Sequence, residues 1–295
     1  MKLSELFQRG EFVVTAEVGP PKGFHIEHLL HEVETYLKGR VHAINVTDNQ
    51  SSVMRLGSLA MCKALKDIGM EAIYQITCRD RNRIALQSDL LSAALFGIEN
   101  ILCLTGDHTT LGDNPQAKPV FDLDSVSLLQ LVGKLEAGTD MAGNPLDGEP
   151  PSFCKGAVVS PCSDSVDVQL AKMEAKVKAG AQYFQTQAVY EPEKFIKFME
   201  KAKQFGVPVQ LGIVIPKNAG MAKYMNDNVA GIHVPPEMIE ELKRDKEKTK
   251  AGITGVEISA RIIRECKDYC QGVHIMALGW ESKIPDILKL AGLEK

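Results

Sequence analysis

The chain has 295 residues, of which 44% are hydrophobic and 24% charged, with a formal net charge of −4. That balance argues against a nucleic-acid partner or a polybasic membrane patch, and no apolar run approaches the roughly 18 residues of a spanning helix. The length is large for a single core unless the fold is an α/β barrel, which takes about 250 residues.

The N-terminal MKLSELFQRGEF reads as a short amphipathic helix without the apolar core of a signal peptide. The next segment, FVVTAEVGPPKG, is a strand closed by Gly19-Pro20-Pro21, and it carries one acid, Glu17. A carboxylate inside a Val/Ala/Thr strand is costly to bury unless it is paired or protonated. Glu17 falls at the strand's C-terminal end, where parallel α/β folds build their chemistry; the structural alternative is an ion pair.

From there one unit recurs: an amphipathic helix, a glycine, then a β-branched strand. Met54–Ile68 stops at Gly69 before AIYQITC, and Ala85–Phe96 stops at Gly97 before NILCLTG. The stripe Val166, Leu170, Met173, Val177 stops at Gly180 before YFQTQAV, and Phe195–Phe205 stops at Gly206 before VQLGIVI. Strands are expected near 12–18, 43–48, 72–78, 100–106, 155–160, 183–189, 209–215 and 272–279, mostly apolar on both faces as in a covered parallel sheet. Their number and spacing predict one (β/α)8 TIM barrel over 1–295, an α/β fold. A doubly wound sheet is the alternative, but no strand is followed by G-x-G-x-x-G.

Residues 107–123 follow a strand and belong to the active face; residues 138–154 follow a helix and belong to the opposite one. Residues 216–234 are expected to form a mobile loop and short helix over the site, and EELKRDKEKTK (240–250) a solvated helix surface. The seven cysteines are scattered, with Cys266 and Cys270 in phase with Ile258 and Ile262, so reduced thiols and a cytoplasmic protein are expected.

Polar residues collect at the expected strand ends: Glu17; Thr47, Asp48 and Asn49; Gln75 and Asp80; Thr105, Gly106 and Asp107; Ser160; Gln185 and Gln187; Lys217; Trp280. No metal is expected, because His25, His28 and His31 lack a recognised ligand pattern and His42, His108, His233 and His274 stand alone. No Ser-His-Asp or Cys–His arrangement is in view. A set rich in Gln, Thr, Asn and carboxylates suits hydrogen bonding to a flavin or pterin. Lys172 and Lys176, one helical turn apart, read from the residues alone as a solvated face.

Taken in order, AEVGPP, NVTDN, ITCRDRNR, LTGD, KVKAGAQYFQTQ and GIVIP followed by IHVP resemble the methylenetetrahydrofolate reductase family, flavin-dependent barrel enzymes of folate and one-carbon metabolism. The likeness runs from about residue 9 to 293. It implies that Glu17 is the general acid that helps open the five-membered ring of methylene-tetrahydrofolate. It implies that Asp107 lies by the flavin pyrimidine edge and the pterin, and that Gln187 and Thr47 bind the substrate. Flavin contacts are implied for Thr47, Asp48, Gln75, Thr105, Gly106, Asp107, Ser160, Gln169, Lys172 and Lys176, which turns the two lysines from a solvated face into phosphate partners.

The chain departs from the family at several positions. Gln75 stands where bacterial members often carry His, Thr105 where they carry Arg, and Ala175-Lys176 replaces a basic pair. FAD is the implied cofactor, with FMN as the alternative. The aromatic that receives the nicotinamide falls near Met225 or Asn226, beside Tyr224, and the strand-eight Arg falls at Trp280. The electron donor is therefore open between NAD(P)H and an iron–sulfur partner subunit of an electron-transfer complex. A flavin-free pterin-binding methyl-transfer barrel is a third reading. An oligomer is expected.

Overall fold

The computed structural model describes residues 1–294. Eight strands run β1 (Val13–Val18), β2 (Ala43–Val46), β3 (Ala72–Thr77), β4 (Asn100–Leu104), β5 (Cys154–Val159), β6 (Tyr183–Ala188), β7 (Val209–Val214) and β8 (Gly272–Met276). Each pairs in parallel with the next, and β8 closes onto β1. This is the expected (β/α)8 barrel. Its strands are apolar runs because both faces are covered, the inner by other strands and the outer by helices. Gly69 and Gly97 end their helices at φ +78° and +70°, a conformation a side chain would strain.

The barrel interior changes character from bottom to top. The lower layer is apolar: Val13, Ala43, Ile73, Leu102, Cys154 and Tyr183 pack with Leu3 and Leu6 of the N-terminal helix Leu3–Gln8. That helix caps the N-terminal mouth, and the Leu3 amide donates to Asn100 Oδ1 at 2.8 Å. A ligand must therefore enter from the C-terminal mouth. Above the apolar layer the interior turns polar, with Thr15, Asn45, Gln185, Gln210 and His274 all buried.

The 240–250 stretch is two helices, Pro236–Arg244 and Lys246–Ala251, broken at Asp245. The break lets the first bury Met238, Ile239 and Leu242 while Thr249 of the second donates its hydroxyl back to the Leu242 carbonyl at 2.9 Å. Residues 216–234 contain the helix Ala219–Asn228, after which Gly231 reaches the barrel rim; a Cβ there would sit 3.1 Å from Ser160 Cβ. All seven cysteines are free and buried. Burial raises their thiols, Cys154 to about 11 and Cys78 to about 12, so neither supplies a thiolate near neutral pH. Among the described residues no cluster of ligating side chains suits a metal ion, and no helix is long and apolar enough to cross a membrane.

Candidate active site

A cavity of about 390 Å³ opens at the C-terminal mouth. Its lining brings together Glu17, Thr47, Asp48, Gln75, Thr105, Gly106, Asp107, Ser160, Lys176 and Gln187, which lie as far as 170 residues apart in sequence. Gln169 stands just behind the lining, its Oε1 accepting the Ser160 N–H at 3.3 Å. Lys172 is exposed on the same helix, Val166–Lys178. A larger depression near Met199, Pro208 and Gln271 lies at the other end of the strands and gathers no comparable polar set.

Glu17 lies in β1 between its register partners Asn45 on β2 and Met276 on β8. It is 7% exposed. Gln75 Nε2 donates to its Oε2 at 2.9 Å, and His274 Nε2 faces the same oxygen at 3.5 Å. Oε1 has no donor among the described residues. His274, which stands alone in the sequence, is thus a titratable neighbour of Glu17. Barrel closure brings it there, since β8 pairs with β1 and sets Thr15 opposite His274.

Asp48 is engaged within the protein. Its side chain is fully buried, and Oδ2 accepts from the Thr77 N–H at 3.0 Å, the Thr77 hydroxyl at 2.9 Å and Arg81 Nη1 at 2.7 Å. Arg81 Nε also pairs with Asp89 at 2.7 Å. Burial alone would lower the Arg81 pKa; the adjacent Asp48 carboxylate outweighs it and raises it. Asp48 therefore pins the end of β3 to the loop after β2.

Arg79, 2% exposed, ties the rim together. It holds Asp80 through Nε at 2.9 Å and Nη2 at 2.7 Å, and donates to the backbone carbonyls of Asp107 at 3.4 Å and Asn49 at 3.3 Å. The loop it grips is strained: Asn49, Ser51 and Ser52 have φ of 46°, 55° and 59°. Each such residue costs about 1–3 kcal/mol, so the surroundings must hold it. Gly112 presses against this loop so closely that a Cβ would lie 1.7 Å from the Ser52 carbonyl oxygen. The Met54 N–H donates to Asp113 Oδ1 at 3.1 Å, and Lys22 pairs with the same Asp113 carboxylate. Loops after β1, β2 and β4 are thereby cross-tied around Thr47 and Asp107.

Three further groups face the cavity. The Thr47 hydroxyl oxygen is buried with no partner among the described residues, a cost that a polar ligand atom relieves. Lys176 is buried and donates to the Val158 carbonyl at 2.7 Å; burial and then the nearby Lys172 charge push its ammonium down to about 8. Gln187 sits where the β6–β7 register shifts, and that irregularity re-aims its side chain at the rim. Beyond the rim, Met225 is buried and the Asn226 amide is tied to both backbone groups of Val234, at 2.7 and 3.0 Å. Tyr224 is 62% exposed. Lys217 lies 5.1 Å from the centre of the Trp280 ring.

A carboxyl beside the Gln75 amide, a buried unpartnered hydroxyl and a lysine at the wall can bind a planar, donor- and acceptor-rich ligand with an anionic tail and protonate it. Most of the lining lies at the strand ends expected from the sequence; not expected were Arg79 and His274 of the lining and Arg81, which pairs with Asp48 behind it. The two arginines lie in the ITCRDRNR string, where charge next to a strand end was the available signal.

The family model for methylenetetrahydrofolate reductase matches residues 2–292. The chain is 28% identical over 245 residues to methylenetetrahydrofolate reductase 2 of Schizosaccharomyces pombe, covering 75% of this chain but 36% of that protein. It is 25% identical over 263 residues to 5,10-methylenetetrahydrofolate reductase of Salmonella typhimurium, covering 87% of this chain and 82% of that one. Among solved structures, the fold is similar to that of an uncharacterized protein from Clostridium thermocellum described as binding two copies of 5-methyl-5,6,7,8-tetrahydrofolic acid, with a TM-score of 0.67, 15% identity, and coverage of 99% of this chain and 98% of that one. With a family match spanning nearly its whole length, the chain belongs to the methylenetetrahydrofolate reductase family of oxidoreductases.

Proposed function

We propose that the chain reduces methylene-tetrahydrofolate to methyl-tetrahydrofolate at the C-terminal cavity, with Glu17 as proton donor and a flavin as the resident cofactor. The observation that carries this reading is Glu17 itself, a nearly buried acid that faces the cavity with one oxygen held by the Gln75 amide and the other without a donor among the described residues, in a chain of this family.

The residues present fit a flavin. The unpartnered Thr47 hydroxyl and the Gln75 amide offer hydrogen bonds to a heterocycle, and Lys176, with Gln169 and Lys172 on the same helix face, offers positive charge to a phosphate. Thr105, Gly106 and Ser160 edge the same cavity. FAD is the default and FMN the alternative. When bound, the reduced flavin supplies the hydride. The chain's own residues do the rest. Gln187 and Thr47 orient the pterin. Glu17 delivers a proton from Oε1, the oxygen without a donor, to the ring nitrogen that leaves the methylene carbon. Asp107 at the rim favours the cation so formed. Oxidised-flavin colour in the purified protein, or colour retained after adding FAD or FMN and desalting, tests the cofactor. A protein that stays colourless and still binds the folate would support the flavin-free methyl-transfer barrel instead.

The Lys176 ammonium gives a pH dependence with a defined sign. Below its pKa of about 8 it is charged and attracts a phosphate; above it that attraction is lost. FMN affinity, read by fluorescence quenching, is therefore expected to weaken as pH rises through about 8, and Lys176→Met to flatten that dependence. A profile unchanged in Lys176→Met would remove Lys176 from the phosphate site.

A second reading concerns the electron source. The buried Met225 and the tied Asn226 present no aromatic ring at the position expected for nicotinamide, and the exposed Tyr224 is the ring nearest in sequence. We therefore infer that electrons arrive from an iron–sulfur partner subunit rather than directly from NAD(P)H. In stopped-flow mixing, NADH and NADPH are expected to leave the bound flavin oxidised while dithionite bleaches it. Prompt bleaching by either nucleotide would overturn this donor assignment and leave the reductase reading intact.

A further inference from the structure

We propose that the buried amide layer beneath Glu17 fixes the tautomer of His274, so that its Nε2 carries the hydrogen and points it at Glu17. Gln185 and Gln210 would then be positioning residues, acting through Thr15 and His274.

Two groups at the base of this layer have no freedom in their hydrogen-bonding roles. The Val13 and Val273 carbonyls only accept, and Gln210 Nε2 lies 3.1 and 3.4 Å from them. Those contacts set the Gln210 amide with its nitrogen toward the two backbones and its oxygen turned away. Gln210 Oε1 must accept, so the Gln185 atom at 3.1 Å from it is the amide nitrogen. Gln185 Oε1 then accepts from Asn45 Nδ2 at 2.8 Å, and the same pair is closed by Gln185 Nε2 to Asn45 Oδ1 at 3.1 Å. Every amide orientation in the layer follows from the two carbonyls.

Thr15 links this layer to His274. Its Oγ1 lies 3.2 Å from Gln210 Nε2 and 3.4 Å from Gln185 Nε2, and both nitrogens only donate. The one other partner of that hydroxyl is His274 Nδ1 at 3.0 Å. Each amide nitrogen has two hydrogens for three acceptors, so its contact with Thr15 is a shared one, and neither nitrogen can take a hydrogen. The Thr15 hydrogen therefore goes to Nδ1, the one acceptor in its reach, which must be the ring's bare nitrogen. The neutral ring then carries its hydrogen on Nε2, the atom 3.5 Å from Glu17 Oε2. With Gln75 donating to that oxygen as well, a proton on Glu17 is directed to Oε1.

The consequence for catalysis rests on the reductase reading, but the tautomer is a property of the free protein. Nitrogen-15 NMR of histidine-labelled wild-type protein near neutral pH, read through two-bond ring couplings, is expected to show His274 as the Nε2–H form. A ring protonated on Nδ1 alone, or a mixture of both tautomers, would overturn the proposal and leave the reductase reading untouched. Thr15→Val removes the donor to Nδ1 and is expected to release the second tautomer, while Thr15→Ser is expected to restore the wild-type pattern. Gln210→Glu, which offers Thr15 an acceptor in place of a donor and so lets it accept from the ring, is expected to give the Nδ1–H form or a mixture; a folded Gln210→Glu protein with unchanged ring signals would remove Gln210 from the chain of control. The wild-type spectrum decides the main point even where a variant does not fold.

Discussion

Glu17→Gln is expected to lower methylene-tetrahydrofolate reduction by about 10²–10⁴-fold, the usual contribution of a positioned general acid, while the rate at which dithionite reduces the bound flavin stays at the wild-type value. Glutamine keeps the volume of the side chain and an oxygen that accepts from Gln75 and His274. It cannot release a proton to a leaving nitrogen. The split between the two half-reactions separates this role from a structural one, since a disturbed cavity would impair flavin binding as well. Single-turnover mixing of the reduced variant with the folate reads the loss directly. A variant that reduces the folate at the wild-type rate would take the acid role away from Glu17.

Asp48→Ala is expected to have the largest effect on stability. It removes one partner of a buried ion pair and leaves the Thr77 N–H and hydroxyl without their acceptor. Breaking such a pair costs about 3–5 kcal/mol. For a chain of this size that lowers the melting temperature by on the order of 10 °C. The remaining Arg81–Asp89 pair softens the loss, because the guanidinium is not left bare. Thermal melts and urea titration of the flavin-free protein measure it. Near-wild-type stability combined with a severe loss of flavin affinity would show that Asp48 serves the ligand rather than the fold.

These two residues also mark how far the sequence could be read. Both stand at strand ends in the strings AEVGPP and NVTDN, and both reach the mouth of the barrel. The strands were legible because a covered parallel strand is an apolar run, and the helices because glycines such as Gly69 end them in a left-handed turn. What a strand-end residue is bonded to was not legible. Asp48 and Glu17 are both acids beside apolar strands, yet one accepts from Thr77 and Arg81 and the other from Gln75. The difference is made by strands that are neighbours only in space.

The same reason hid His274. Its position opposite Thr15 depends on β8 closing onto β1, and no local pattern in VHIMAL announces that register. The strained turn at Asn49, Ser51 and Ser52 was equally silent, since left-handed residues there are not glycines and are held by Arg79 and Gly112 from elsewhere in the chain. The break at Asp245 carries no proline or glycine and comes from the packing of Leu242 and Thr249.

Hydride delivery at this cavity is tested most directly by anaerobic single turnover. Flavin-loaded protein reduced with dithionite, freed of reductant and mixed with methylene-tetrahydrofolate is expected to regain its oxidised-flavin absorbance while forming one methyl-tetrahydrofolate per flavin. A flavin that stays reduced in the presence of bound folate, or methyl-tetrahydrofolate formed without flavin oxidation, would contradict it.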